Sequence, residues 1–195
     1  IIFPLERVGN VELATTAFGQ GVSVTPIQQV TAISSVINGG YLYKPYILKS
    51  INENITNDVI EENYKHLVRR TISSSTSKTM RLALESVVAK GGGKAAYIDG
   101  YRIGGKTGTA QKAVDGHYLV NNYIMSFVGI VPSNDPEAVL YLAIDNPKDT
   151  ALLSSYTTTP IARRILLDII DILKIEKQQG GLDKDLEWYD KITYE

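Results

Sequence analysis

Residues 123–131 and 137–145 constrain the fold of this chain more than any other stretch, because both read as strands that are apolar on both faces. Ile124, Val128 and Ile130 alternate with Met125, Phe127 and Val131, and Val139-Leu-Tyr-Leu-Ala-Ile144 is unbroken. Strands of this kind need cover on each side. Pro132-Ser-Asn-Asp-Pro136 between them is a compact turn signal and predicts an antiparallel hairpin. One cover is a helix predicted from Pro160, with Thr159 as its cap and Ile161, Ile165, Ile169 and Ile172 as its apolar stripe. The expected fold class is α+β, a largely antiparallel sheet flanked by helices.

The rest of the chain supplies further elements. Thr25-Pro-Ile-Gln28 reads as a capping box with proline at the first helical position, and Gly39-Gly40 as the stop. Ile27, Val30, Ile33 and Ile37 share one face of that helix. Tyr41 to Ile51 is strand-like around Pro45, which confines it to an edge or an irregular segment. Asn52 to Glu62 reads as a polar loop, and Lys65 to Ile72 as a short strand. Ser73 to Ser75 offers caps for a helix with Met80, Leu84, Val87 and Val88 on one face, ended by Gly91-Gly92-Gly93. A turn is expected at Val114-Asp-Gly-His117. The tail from Glu176 to Glu195 is polar and reads as a connector, with Trp188 and Tyr189 as residues that could pin it to the body.

The chemistry concentrates at Tyr101-Arg-Ile-Gly-Gly-Lys106-Thr107-Gly108-Thr109-Ala-Gln-Lys112. The spacing predicts a strand over 101–111, yet glycine weakens a strand interior unless something must come close to its backbone. Lys106 is a compact point charge with three donors, and Thr107 and Thr109 add hydroxyls beside it. An extended ligand with an anionic end suits such an edge. Simple alternation places Lys106 and Thr107 on opposite faces, so both serve one ligand only if it lies along the strand edge, as in strand addition.

This segment resembles the Lys-Thr-Gly strand of class B penicillin-binding proteins, one of the signature motifs of that fold together with Ser-x-x-Lys. Val8-Gly-Asn-Val-Glu-Leu-Ala14, Phe18-Gly-Gln-Gly-Val-Ser-Val-Thr-Pro-Ile-Gln28 and Asn38-Gly-Gly-Tyr41 resemble the family's landmarks ahead of it. Ser126-Phe-Val-Gly-Ile-Val-Pro132 and Ile144-Asp-Asn-Pro147 resemble those behind it. The likeness runs in the family's order over residues 8–172 and is nearest to division and sporulation transpeptidases of the Gram-positive type. It implies a penicillin-binding protein/β-lactamase-like transpeptidase fold, of which residues 1–175 are the C-terminal part and 176–195 the connector.

By the same resemblance, Lys106 and Thr109 belong to the catalytic machinery, and Gly105, Thr107, Gly108 and Thr109 to the substrate site. Lys106 contacts the hydroxyl of the family's Ser-x-Asn motif and raises the local positive potential. Thr107 binds the carboxylate of a stem peptide or β-lactam. Gly108 leaves room, and Thr109 gives its backbone N–H to the oxyanion and its hydroxyl to the carboxylate. The implied partners are peptidoglycan stem peptides, β-lactams, the remainder of the same protein and septal or sporulation cell-wall synthesis proteins. The implied place of work is the extracytoplasmic face of the cell membrane, with an anchor outside these residues. No cofactor and no metal are called for.

Two motif-like segments stand in the reverse of the family's order. Ser75-Thr-Ser-Lys78 fits Ser-x-x-Lys and Ser50-Ile-Asn52 fits Ser-x-Asn, but both read as coincidences, Ser75 because its hydroxyl-rich run caps a helix. By position in the resemblance, the nucleophile and middle motif are expected ahead of Ile1 or on a separate chain; the chain opens without Met or signal peptide and reads as the interior of a longer protein. His66 and His117 have no spacing that completes a zinc site. Asp168 and Asp171 fit a solvated helix face. Lys plus Arg number 20 against 21 Asp plus Glu with no basic run, which argues against nucleic acid, and the absence of cysteine removes disulfides and thiolate metal sites. Gly91-Gly92-Gly93 stands where Gly-Thr-Gly is usual, and Leu152-Leu153-Ser154-Ser155 where a glycine-rich turn often lies. A D,D-carboxypeptidase or β-lactamase on the same fold, or a non-catalytic module that binds cell-wall peptide or a division partner, are the competing readings.

Overall fold

A computed structural model describes residues 4–17, 19–54, 56, 59–62, 64–114, 117–148 and 154–178. Among these residues the order of elements is α1 (Asn10–Ala17), α2 (Pro26–Ile37), β1 (Tyr41–Tyr43), β2 (Ser50–Asn52), β3 (Val59–Glu62), β4 (Leu67–Arg70), α3 (Ser74–Ala89), β5 (Gly104–Val114), β6 (His117–Val131), β7 (Ala138–Asp145) and α4 (Ser154–Leu173). The main sheet has the order β5-β6-β7, antiparallel throughout, and β1-β4 and β2-β3 form two small antiparallel pairs. The α+β class is as expected. No helix among the described residues is long and apolar enough to cross a membrane.

β6 is covered on both faces. Met125, Phe127 and Val131 on one face and Val128 and Ile130 on the other are all buried. Gly129 shares the face of Phe127, and a Cβ built on it would lie 3.2 Å from Leu166 Cδ1, which places α4 against that face. Gly104, paired with Ile130, points the other way, where a Cβ would lie 3.5 Å from Leu84 Cβ of α3. Sheet and helices close on a core of Val88, Ala96, Ile98, Ile103, Phe127, Val131, Ala162, Leu166, Ile170 and Ile175. Removing a side chain such as Phe127 or Leu166 from water contributes about 1.5–3 kcal/mol.

Several expectations hold in detail. Thr25 caps α2 by a full capping box with Gln28, and Pro26 is its first residue. α3 starts after Ser73, whose hydroxyl accepts from Thr76 N at 3.0 Å, and it ends at the glycine run, where Gly91 and Gly93 both donate to Val87 O. The β6–β7 hairpin turns at residues 132–136 as predicted.

Others are corrected. The lysine-bearing strand begins at Gly104, not residue 101, because Tyr101 N donates back to Ile98 O and Gly100 sits at φ 79°, so Tyr101 to Ile103 form the approach. It runs on to Val114, which pairs with His117; the two turn residues between lie outside the described residues. Asn52 to Glu62 is not all loop. Val59 and Ile60 are β-branched, and β3 pairs there with β2. α4 begins at Ser154 rather than Pro160, which is its seventh residue. Thr159 is no cap, since its hydroxyl, like that of Thr158, returns to the carbonyl four residues back, Ser155 O and Ser154 O respectively.

The buried stripe of α4 is correspondingly Thr158, Thr159, Ala162, Leu166 and Ile170, while Ile161 is 42% and Ile172 74% exposed. On α3, Met80 is exposed and the buried positions are Ser77, Glu85 and Val88. The start of the tail is tied down by Gln178 N donating to Gly100 O at 2.9 Å and by Lys177 over the Tyr101 ring. Trp188 and Tyr189, and the Leu152-Leu153 departure, lie outside the described residues.

Candidate active site

β5 is bonded to β6 on one side, and among the described residues no strand covers its other edge. Lys106 lies opposite Val128 and Gly108 opposite Ser126; Thr107 lies opposite Phe127 and Thr109 opposite Met125. Partners across an antiparallel ladder share a face. The expected opposition is therefore real: Lys106 and Gly108 are on the α3 side, Thr107 and Thr109 on the α4 side. A ligand that meets both must run along the open edge.

The side chains differ in readiness. Lys106 is exposed, and its Nζ donates to Thr107 O at 2.8 Å, which uses one of its three hydrogens. Thr107 is half-buried and its hydroxyl has no partner among the described residues. Thr109 is engaged: its Oγ1 is 2.6 Å from Ser154 Oγ, which itself donates to Gly108 O at 2.6 Å. Ser154, 1% exposed, was unremarked in the sequence except as part of a departure from the glycine-rich turn.

The glycines are explained from inside the fold. A Cβ at Gly105 would collide with the Phe127 ring and lie 2.6 Å from Val128 O, and one at Gly108 would lie 2.6 Å from Ser126 Oγ. The close approach that glycine in this strand implies is thus made by β6.

A charged cluster that the sequence reading passed over anchors the strand's start. Arg102 donates to Glu85 through Nε and Nη2, and Ser133 Oγ donates to the same carboxylate at 2.7 Å. Ser133 N also donates to Arg102 O at 2.7 Å. α3, the approach to β5 and the exit of β6 are tied at one point. The available signal was a glutamate amid Leu84, Val87 and Val88.

The remaining candidates take bland places. Ser75 is exposed, and its hydroxyl is 2.8 Å from that of Ser73, the actual cap of α3. Ser50 belongs to the β2–β3 pair, apart from the main sheet. His66 and His117 are exposed, Asp168 and Asp171 are exposed, and Asp171 pairs with Lys174. Among the described residues no group of three His, Cys, Asp or Glu could hold a metal.

Set against known proteins, residues 1–167 match the family described as the penicillin binding protein transpeptidase domain. The chain is 50% identical over its whole length to Stage V sporulation protein D of Bacillus subtilis (strain 168), covering 30% of that protein. It is 37% identical over 178 residues to the Peptidoglycan D,D-transpeptidase FtsI homolog of Mesostigma viride, 85% of this chain and 30% of that one. Its fold is similar to penicillin binding protein 3 of Mycobacterium tuberculosis complexed with ampicillin, with TM-score 0.82 and 25% identity over 93% of this chain and 42% of that one. The chain spans about a third of the length of the two sequence relatives.

Proposed function

The chain belongs to the penicillin-binding protein transpeptidase family, as part of a class B transpeptidase domain, and on that premise we propose that it supplies the substrate-binding edge of a peptidoglycan D,D-transpeptidase. Residues 1–175 form the C-terminal part of that domain and 176–195 a connector. The whole protein cross-links stem peptides at the extracytoplasmic face of the membrane and is a target of β-lactams. The observation that carries the reading is β5 itself, which among the described residues has an open edge, a cation at Lys106 and a Thr107 hydroxyl without a partner, within a match that spans most of the chain.

The chemistry follows from these groups. A serine oxygen from the rest of the protein attacks the carbonyl of the penultimate D-alanine, forms an ester and releases terminal D-alanine; an acceptor amine then takes the acyl group and frees the serine. A stem peptide laid along β5 presents its carboxylate to Thr107 and Thr109. Lys106 stabilises the adjoining negative charge and orients the middle motif's hydroxyl. The backbone N–H of Thr109 faces the oxyanion that develops.

The test is mass spectrometry of the complete protein after reaction with a labelled penicillin. The adduct is expected on a serine outside this chain, in a Ser-x-x-Lys motif. An adduct on Ser75, or none at all, overturns the reading. Product analysis with an added amine separates transfer to amine from transfer to water, the outcome that a carboxypeptidase or β-lactamase gives.

A further inference from the structure

Ser154 is the first residue of α4, yet its hydroxyl stands 2.6 Å from two oxygens of β5, the carbonyl of Gly108 and Oγ1 of Thr109. A hydroxyl has one hydrogen and two lone pairs, whereas a carbonyl only accepts. Ser154 therefore gives its hydrogen to Gly108 and receives that of Thr109. The chain of hydrogens runs one way, from Thr109 to Ser154 to Gly108, and Thr109 turns only lone pairs toward the exposed side.

A carboxylate also only accepts, so it meets this resting arrangement as repulsion. The conflict is resolved by turning the two hydroxyls over. Ser154 then donates to Thr109 and Thr109 donates to the anion, with no hydrogen gained or lost. Gly108 O gives up its side-chain donor in the same step. A hydroxyl that receives a hydrogen bond is a stronger donor to the next acceptor, and a bond to an ionised acceptor is stronger than one to a carbonyl.

Resting on the carboxylate-binding role given to Thr109 above, we propose that Ser154 is a positioning residue: a buried, two-state hydroxyl that holds Thr109 on the strand and makes it a donor when an anionic ligand arrives. Thr107, whose hydroxyl has no partner among the described residues, needs no such turning over. The two threonines of the strand then differ in kind, one a ready donor and the other a donor conditional on Ser154.

The experiment uses the complete protein and compares acylation by a penicillin with acylation by its methyl ester, which lacks the anion. Ser154→Ala should lower the efficiency toward the free acid about fivefold, the weight of one ordinary hydrogen bond, through apparent affinity rather than the limiting rate. Its effect on the ester should be negligible. In a Thr109→Val background the Ser154 substitution should cost nothing further. Ser154→Cys keeps the volume with a weaker donor and should show the same selectivity, which guards against a packing defect in the alanine variant. Equal losses for acid and ester, or a full additional loss on top of Thr109→Val, overturn the proposal and leave the transpeptidase reading intact. Wild-type protein that reacts with neither ligand overturns the transpeptidase reading itself.

Discussion

Arg102 and Glu85 meet side-on in the interior, Nε to Oε1 at 2.8 Å and Nη2 to Oε2 at 2.7 Å, with their side chains 8% and 3% exposed. Bidentate geometry is what makes a charged pair tolerable once water is removed. Arg102 is two residues ahead of Gly104, so the pair sets where β5 enters the sheet and, four residues on, where Lys106 stands. Ser133 adds a third donor to the carboxylate from the far end of β6.

Arg102→Ala should destabilise the domain by about 3–5 kcal/mol, because Glu85 is then left buried without its main cation. Replacing both partners by Met should cost clearly less than either single change, since no orphan charge remains. Chemical denaturation of the four proteins checks this. A loss under about 1 kcal/mol in the single variant would show that the pair is not holding the strand.

Gly105→Ala tests the packing explanation of the motif's glycines. The new Cβ meets the Phe127 ring and the backbone carbonyl of Val128, and a backbone carbonyl cannot swing aside as a side-chain tip can. A cost of about 1–3 kcal/mol is expected from overpacking, together with slower acylation as Lys106 shifts. Gly92→Ala is the control, because a Cβ there meets nothing within 4 Å. Equal melting temperatures for the two variants would contradict the account.

Thr107→Val removes a hydroxyl that bonds nothing among the described residues, while keeping the side chain's shape. Melting should stay near wild type, and acylation by a carboxylate-bearing penicillin should fall about tenfold, as loss of a hydrogen bond to a charged group does. Unchanged acylation kinetics in the valine variant would remove Thr107 from the substrate site.

What could be read from the residues divides along physical lines. Periodicity and caps are local, so the hairpin of β6 and β7, the capping box at Thr25 and the helix after Ser73 were all legible. The start of α4 was not, since Ser154 to Thr159 is a hydroxyl-rich run that resembles a cap, yet it lies within the helix with the Thr158 and Thr159 hydroxyls bonded back to the carbonyls of Ser154 and Ser155. Pairings across long separations were equally hidden. Glu85 finds Arg102 seventeen residues on and Ser133 forty-eight residues on, and only the register of β5 on β6 reveals that Phe127 and Ser126 occupy the space beside Gly105 and Gly108. The motif Lys-Thr-Gly was visible as chemistry, but not that the Thr109 hydroxyl beside it is bonded to Ser154 while that of Thr107 has no partner among the described residues.

Lys106→Ala is the sharpest test of the strand's role. The side chain is exposed, bonds only its neighbour's carbonyl among the described residues, and faces away from the α4 core, so its removal takes little from the fold. Its charge, by contrast, is fixed beside the open edge where the reacting carbonyl and the ligand's anionic end would lie. A preorganised cation at developing negative charge contributes far more to a transition state than a surface charge contributes to stability. Penicillin acylation in the complete protein should therefore slow about a hundredfold or more, while the melting temperature stays within a degree or two of wild type. Stopped-flow acylation and a thermal melt of the same preparation decide it. Wild-type acylation rates in the alanine variant would remove Lys106 from the machinery, and a collapsed melting temperature would make its role structural.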